Sequence, residues 1–528
     1  MRIMRRIEVP VRRYIPQWMV MLTMFMILVN IVLVNGAYLG SSIDVSGALG
    51  TTSEDITMAF YACSIGMVVA NPLVQKVRQI MTTKTLLLTD IALQCLFSMI
   101  CAGTYHMEVM IICCFIIGLL KTFLLLEFII LMTPLFTPGN VRSESYSWFY
   151  PLVFGGGQFS IPLTAWIAYN YKWQYTYYFV IILLLVTMSM IIVCFRDARS
   201  PKIAHIKEIN FRSIFFVSIS YLVLVYSIVY GKILDWFNSD LIVSFVSGGV
   251  GILSIFIYHQ CTSKKPYISF RPLRNLKSIV GYIFMFICVF FNSDTSIVNN
   301  YITYALHLDN IHANALVLWT VPGYILAGII GFWWFRLQKW RFRYLVSVAF
   351  WMYAIYFIIL YFGVSPVSRY ESLFIPTVFK GTAFMLLVIA FGVYAAEDIE
   401  SPYLVSNTFF MISTRSVFAP VISMALFSNY LYNMQINSMM KLSEYYTNVD
   451  TNAHGKQIES LVQFIQDQSM LIGIKNAIGY LTISSIVLAV ITIFIPFHKT
   501  LSIPALKAGQ DMIFKIPMTK IFIPPRTA

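Results

Sequence analysis

Residues 108–133 read EVMIICCFIIGLLKTFLLLEFIILMT, an apolar run whose only charges are Glu108 at its edge and Lys121 and Glu127 within it. About 20 helical residues cross the ~30 Å hydrocarbon layer of a bilayer, so this stretch is long enough to span. The apolar residues do not alternate with polar ones, as they would in a strand of a membrane barrel. The reading is a transmembrane helix with two ionisable groups inside it. Each such group costs about 2.5–3.5 kcal/mol even on the lenient insertion scale, so each needs a partner or a task.

Comparable runs recur on both sides of this one. Reading apolar runs and their Gly, Pro and charged interruptions predicts helices at about 17–36, 56–75, 85–103, 108–133, 147–169, 176–195, 212–231, 241–260, 278–300, 313–335, 344–363, 373–395, 404–430 and 474–496, with ends uncertain by about two to four residues. Fourteen spans of about 20 residues occupy roughly half of the 528 residues and leave no room for a large soluble domain. Composition agrees: 59% of residues are hydrophobic and 11% charged, against about a quarter charged in soluble proteins. This excludes an anchored cytosolic enzyme, a nucleic-acid-binding protein despite the +14 charge, and a secreted disulfide scaffold. The fold class is an all-α polytopic membrane protein. The apolar stretch from Trp18 runs to Asn35 without a small-x-small cleavage site, so it reads as the first span and not as a signal peptide.

The eight cysteines lie in or beside apolar runs without C-x-x-C spacing and read as small apolar fillers. His307 and His312 are the closest histidines and have no Cys or carboxylate cluster beside them, so neither a metal nor another cofactor is implied.

Cytoplasmic segments retain Lys and Arg. With the N-terminus inside, 28 of the 37 basic residues fall on the inner side. They include Lys76, Arg78 and Lys84 between the second and third spans and the group from Arg336 to Arg343. Six fall outside, and Lys121, Lys380 and Arg415 lie within spans. An odd error in the helix count would invert every later loop, so both termini are expected in the cytoplasm of an inner-membrane protein. Only the acidic stretch Glu397-Asp398-Ile399-Glu400 dissents. The outer stretch of about 431–473 reads as a long polar loop with an amphipathic helix over Gln457 to Gln468, either a lid on the outer mouth or a docking surface. The basic tail 499–528 suits an anionic inner leaflet.

One segment carries a family signature. Gly231-Lys232-Ile233-Leu234-Asp235-Trp236-Phe237-Asn238-Ser239 is followed by an apolar helix and by Lys265-Pro266-Tyr267-Ile268-Ser269-Phe270-Arg271-Pro272-Leu273-Arg274-Asn275. This resembles the fourteen-helix drug:proton antiporter family of the major facilitator superfamily, as do the aromatic run Trp173 to Tyr178, the stretch Leu316 to Pro322, and the placement of Arg415. The resemblance implies two six-helix bundles, 17–200 and 266–498, around two inserted helices within 201–265, with a basic N-terminal segment 1–16. It also implies a small-molecule substrate, proton exchange, and partnership with a periplasmic adaptor and an outer-membrane duct.

The superfamily's short motifs are degraded. Its gate-loop signature G-x-L-x-D-r-x-G-r-r corresponds to Asn71-Pro-Leu-Val-Gln75-Lys76-Val-Arg78, so the aspartate that latches the inner gate is replaced by Gln75. The fourth-span R-x-x-Q-G keeps only Gly118, and the fifth-span antiporter stretch keeps only Gly157 and Pro162, residues suited to bending. Beside Asn30 and Asn35 there is no counterpart of the family's first-span aspartate.

Charge within the spans then marks the candidate machinery. Lys121 lies seven residues beyond Cys114, about 20° from the same helix face and roughly 10 Å deeper, where it could replace the missing family arginine. Glu127 lies about 120° around that helix from Lys121 and must meet another helix or water. Asp294 sits in the polar cluster Asn292-Ser293-Asp294-Thr295-Ser296. It is either a proton carrier in low dielectric or a solvated group where the ninth helix ends early. Arg415 either holds a carboxylate ionised or bridges backbone carbonyls. Asp90 and Lys380 lie near helix ends and read as solvated or snorkelling. Glu127 and Asp294 are therefore the expected proton-coupling residues, with Lys121 and Arg415 as charge partners. The expected function is proton-coupled export of lipophilic or amphiphilic compounds by alternating access. The alternatives are a dedicated exporter of one endogenous lipid, siderophore or peptide and, remotely, a polytopic membrane enzyme.

Overall fold

The computed structural model describes residues 12, 16–36, 40–136, 142–196, 209–263, 266–338, 341–445 and 455–497. The expected basic tail from 499 and, apart from positions 12 and 16, the N-terminal segment lie outside the described residues. In chain order the helices are α1 (Gln17–Gly36), α2 (Ser42–Leu49), α3 (Ser53–Arg78), α4 (Thr83–Gly103), α5 (Met107–Phe136), α6 (Arg142–Asn170), α7 (Gln174–Cys194), α8 (Phe211–Val229) and α9 (Asp240–Thr262). There follow α10 (Leu276–Asn292), α11 (Thr295–Asn300), α12 (Asn310–Leu316), α13 (Thr320–Phe332), α14 (Phe342–Gly363), α15 (Phe374–Tyr394), α16 (Leu404–Ser413), α17 (Ala419–Tyr445) and α18 (Gly455–Phe494).

Among the described residues, 12 helical runs are long and apolar enough to cross a membrane, and the apolar part of α1, Trp18–Val34, is shorter. Length and hydropathy therefore support a polytopic membrane protein with fewer spans than the fourteen expected. Neither α1 nor α6 is among the twelve. The start of α6, Arg142 to Tyr150, is polar and aromatic, and three consecutive glycines follow, so its mean apolarity is low although its 29 residues suffice in length.

Local chemistry sets several helix ends. Thr52 caps α3: its hydroxyl accepts the Asp55 amide at 3.4 Å, while the Asp55 carboxylate accepts the Thr52 amide at 3.0 Å, closing a reciprocal capping box. The expected ninth helix is interrupted at Ser293 and Asp294, where α10 stops and α11 begins. Widened π turns cover Tyr301–Ala305, Trp333–Gln338 and Thr414–Phe418. The degraded gate motif, Asn71 to Arg78, is helix and not loop, because Pro72 is accommodated inside α3. The expected outer loop of about 431–473 is likewise mostly helix. Residues up to Tyr445 prolong α17, and α18 begins at Gly455. Met, Gln, Leu and Lys favour helix intrinsically, so hydropathy marks where these helices become polar and not where they end.

Two sets of helices pack mainly within themselves. In the first, α3 lies on α5, α4 on α5 and α7, and α1 on α6 and α7. In the second, α13 lies on α15, α14 on α15 and α18, α10 on α15 and α17, and α17 on α18. Glycines permit the closest crossings. A Cβ on Gly66 would lie 2.2 Å from the Phe115 carbonyl oxygen, and one on Gly118 would lie 2.0 Å from that of Cys63. In the second set, Gly323 and Gly381 meet backbone in the same manner, at 2.3 Å from the Val378 oxygen and 2.5 Å from the Thr320 oxygen. The sets meet where α6 packs on α12, α13 and α15, and where α3 packs on α16.

Helices α8 and α9 pair with each other, and α8 leans on α3 and α17. The Tyr230 hydroxyl donates to Asp55. Burial and that carboxylate push the Tyr230 phenol above its ordinary range, so it remains a protonated donor. Beyond α9 the chain is tied in by Gln260, whose side-chain oxygen accepts from the Tyr267 and Ile268 amides at 2.6 and 3.2 Å. The Tyr267 hydroxyl donates to the Val69 carbonyl of α3.

Candidate functional site

A cavity of about 1040 Å³ lies between the two sets, walled mainly by α3, α5 and α6 on one side and by α10–α17 on the other. It extends from Ser41, Asn310 and Asn314 near one end of the helices to Gln75, Ser145 and Leu404 near the other. Its wall is largely apolar and aromatic. Tyr146, Tyr150 and Phe154 recur at four-residue spacing along α6 and so share one face. Tyr146 lies tilted against Tyr150 and Tyr150 meets Phe154 edge to face, at centroid distances of 4.8 and 6.2 Å, and Phe154 continues to Phe384 of α15 at 5.9 Å.

The most concentrated chemistry lies in the second set. Because the backbone turns at Ser293, the Asp294 side chain enters the packing between α14 and α15 instead of continuing along the face of α10. Its carboxylate is 2.5 Å from the Lys380 ammonium and accepts the Tyr356 hydroxyl. Lys380 also donates to the Thr295 hydroxyl at 2.8 Å. Asp294 is 1% exposed and Lys380 6%, and Lys380, Tyr356 and Thr295 line the cavity while Asp294 stands behind them. The alternative of a solvated Asp294 is thus corrected: the helix does break there, but the carboxylate is enclosed. The snorkelling role expected for Lys380 is corrected as well, because a buried counter-ion makes escape to water unnecessary.

The first set holds a different pair. Glu127 is fully buried and pairs with Arg78 at 2.7 Å, while its other oxygen accepts the Thr83 hydroxyl at 2.9 Å. This carboxylate fastens the end of α3 and the start of α4 to α5, and it does not line the cavity. Lys121 does line it, one turn beyond the Gly118 crossing, and donates to the Val34 carbonyl of α1 at 3.1 Å. Asp90, expected near solvent, is buried and accepts from Gln94 at 3.0 Å.

Arg415 sits in the π turn between α16 and α17. Its guanidinium lies 5.7 and 5.0 Å from the ring centres of Tyr150 and Phe154, so a cation of the second set rests on the aromatic face of the first. Neither expected partner is found: no carboxylate pairs with it among the described residues, and its Nε and Nη1 have no hydrogen-bond partner.

In α6 the helix continues through Pro151 and Pro162. Gly157 lines the cavity, and a Cβ on Gly156 would meet Val32 of α1 at 2.3 Å. Of the degraded gate motif, Asn71 and Gln75 line the cavity, Arg78 pairs with Glu127, and Lys76 lies on the last turn of α3. Reading the sequence missed the Asp294–Lys380–Tyr356 cluster as a unit because its members come from distant spans. The signal that could have found it was a lysine in an apolar run whose only polar company is Thr377 and Thr382.

Comparison with known proteins follows the same outline. A family profile described as Major Facilitator Superfamily matches residues 17–424. No curated protein matches. Among solved structures, one described as giving insight into substrate recognition in proton dependent oligopeptide transporters superposes with a TM-score of 0.55 at 14% identity, covering 92% of this chain and 99% of that one. The nucleoside transporter NupG gives 0.53 at 11% identity, with coverages of 90% and 98%. The tetrameric PepTSo2 gives 0.54 at 13%, also with 90% and 98%. At these identities the likeness concerns the fold.

Proposed function

The chain belongs to the Major Facilitator Superfamily, and from that premise we propose that it is a proton-coupled exporter of amphiphilic small molecules working by alternating access. The observation that carries this reading is the enclosed Asp294–Lys380–Tyr356 cluster set against the wall of an aromatic-lined cavity. Protonation of Asp294 removes the charge that holds Lys380, and the broken backbone at Ser293 lets α10 and α11 reorient. A local proton thereby biases one packing of the two helix sets over another. Glu127, bound to Arg78 away from the cavity, takes the part of a latch in place of the aspartate missing at Gln75.

The same reading counts α1 and α6 as spans, because both pack among the membrane helices, which gives fourteen. It takes 17–200 and 266–498 as six-helix bundles, with α8 and α9 inserted. The face bearing Arg78, Lys84 and Arg343 is cytoplasmic by its positive charge, in the inner membrane. A dedicated exporter of one endogenous product is the second reading, favoured by Asn292, Asn299, Asn310 and Asn314 in the cavity wall, since fixed hydrogen-bonding groups select one cargo. The periplasmic adaptor implied by family resemblance would dock where Met440, Val462 and Phe464 are exposed on the ends of α17 and α18. Affinity purification in mild detergent that retrieves no such protein would remove it.

The test is reconstitution into proteoliposomes enclosing a pH-sensitive dye. Amphiphiles with a common naphthalene body and anionic, cationic or neutral heads are added across an imposed proton gradient. Wild type is expected to move protons in response to at least one of them, Asp294→Glu to retain this in part, and Asp294→Asn to lose it. Undiminished coupling in the Asn variant would refute the assignment.

A further inference from the structure

Resting on the reading of this cavity as the cargo site, we infer that the cargo is an amphiphilic anion: an aromatic or alicyclic body carrying a carboxylate, sulfonate or phosphate. Among the described residues, three cationic side chains line the cavity, Lys121 of α5, Lys380 of α15 and Arg415 of the π turn, and no Asp or Glu does. The buried carboxylates stand behind the wall. Asp294 is screened by Lys380 and Tyr356, and Glu127 is committed to Arg78 and Thr83. With Lys380 compensated by Asp294, a cationic cargo would meet the two like charges of Lys121 and Arg415 in a site of reduced dielectric, where charge–charge interactions are strong. An anionic one would meet the complement.

Arg415 is the specific anchor. An arginine in a protein keeps its charge at any working pH, and its planar donors suit bidentate anions. Here the guanidinium rests on Tyr150 and Phe154, with Nε and Nη1 lacking any acceptor. A buried donor left unsatisfied is unfavourable, and an anionic head group supplies the missing acceptors. Lys121, across the cavity on the other helix set, contributes a second positive charge. The two sets thus each present one cation that is not engaged by Asp294. The row Tyr146, Tyr150 and Phe154 lies beside Arg415, so the head group is held next to the surface that packs the apolar body. Lys380 is assigned no part in anchoring, because Asp294 holds it.

The experiment uses the full chain in lipid nanodiscs and three radiolabelled probes with one ring system: 2-naphthalenesulfonate, 2-naphthyltrimethylammonium and 2-methoxynaphthalene. Equilibrium binding to wild type is expected to favour the sulfonate at least tenfold over the ammonium. Arg415→Gln is expected to weaken the sulfonate about tenfold while leaving the methyl ether unchanged, with Arg415→Lys intermediate. Lys121→Gln provides an independent variant with the same sign. Equal or tighter binding of the ammonium by wild type would overturn the inference without any variant. So would a uniform loss for all three probes in Arg415→Gln, which marks a structural role. If the ammonium or the ether binds and moves protons in proteoliposomes while the sulfonate does neither, the inference falls and the transport reading stands. If no probe binds, both fall.

Discussion

Lys380→Met is expected to destabilise the protein by about 3–5 kcal/mol, and Asp294→Asn combined with it to recover most of that loss. The magnitude follows from leaving an ionised carboxylate enclosed without its counter-ion. Asp294 is 1% exposed, and its nearest cation is the Lys380 ammonium at 2.5 Å. In the single variant the site must either keep a naked charge or take up a proton from water. In the double variant both charges are gone, and the amide of Asn still accepts the Tyr356 hydroxyl. Thermal unfolding of the four proteins in one detergent gives the double-mutant cycle directly. Coupling below about 0.5 kcal/mol would mean that the two groups are solvated independently, and the enclosed pair would cease to be a candidate coupling element.

The second large effect is steric. Gly118→Leu and Gly381→Leu are each expected to abolish accumulation of folded protein or to lower its stability by more than about 3 kcal/mol, at or beyond the upper end for overpacking. The reason is the nature of the obstacle. The first side-chain carbon would lie 2.0 Å from the Cys63 carbonyl oxygen at one crossing and 2.5 Å from the Thr320 carbonyl oxygen at the other. These are backbone atoms of a packed helix and cannot swing aside as a flexible side chain would. The controls are Gly47, Gly103 and Gly248, where an added carbon meets nothing within 4 Å. Alanine there is expected to change stability by no more than about 0.5 kcal/mol. Size-exclusion profiles and unfolding midpoints check both halves of the claim. Comparable losses at Gly118 and Gly103 would show that helix propensity, not the crossing, governs these positions.

Much of the architecture is written in local sequence. Continuous apolar runs give most helices to within a few residues, because lipid demands internally satisfied backbone along the whole span. The helices at the Gly66 and Gly118 crossing were each visible, but their contact was not, since a glycine in a span has no local sign of what approaches it. α6 shows the opposite limit. Its polar start and three glycines depress its hydropathy, yet it packs against three helices of the second set and carries the aromatic row of the cavity. At the site, Glu127, Lys121 and Arg415 were noticed because each is a charge in an apolar run. Lys380 was assigned to solvent because depth was judged from distance along the helix, and its partner lies 86 residues earlier. Partnership across spans is set by packing, which a single sequence does not encode in any local pattern.

The three π turns, at Tyr301–Ala305, Trp333–Gln338 and Thr414–Phe418, all belong to the second set of helices. A π turn holds more residues than the α turn it interrupts, so each is a place where the chain accommodates surplus length without shifting the helix on either side. One residue corresponds to about 100° of rotation in an α-helix. Removing Ser416 would thus let its turn close to an ordinary α turn with the face of α17 kept in place, whereas the same deletion in a regular α turn would rotate everything beyond it. The second half of the chain has in these turns a tolerance for single-codon insertion and deletion that the described part of the first half lacks. Arg415 occupies one of the three, so the cation facing the cavity stands where the length of the gene is most easily edited and the direction of a side chain most easily changed.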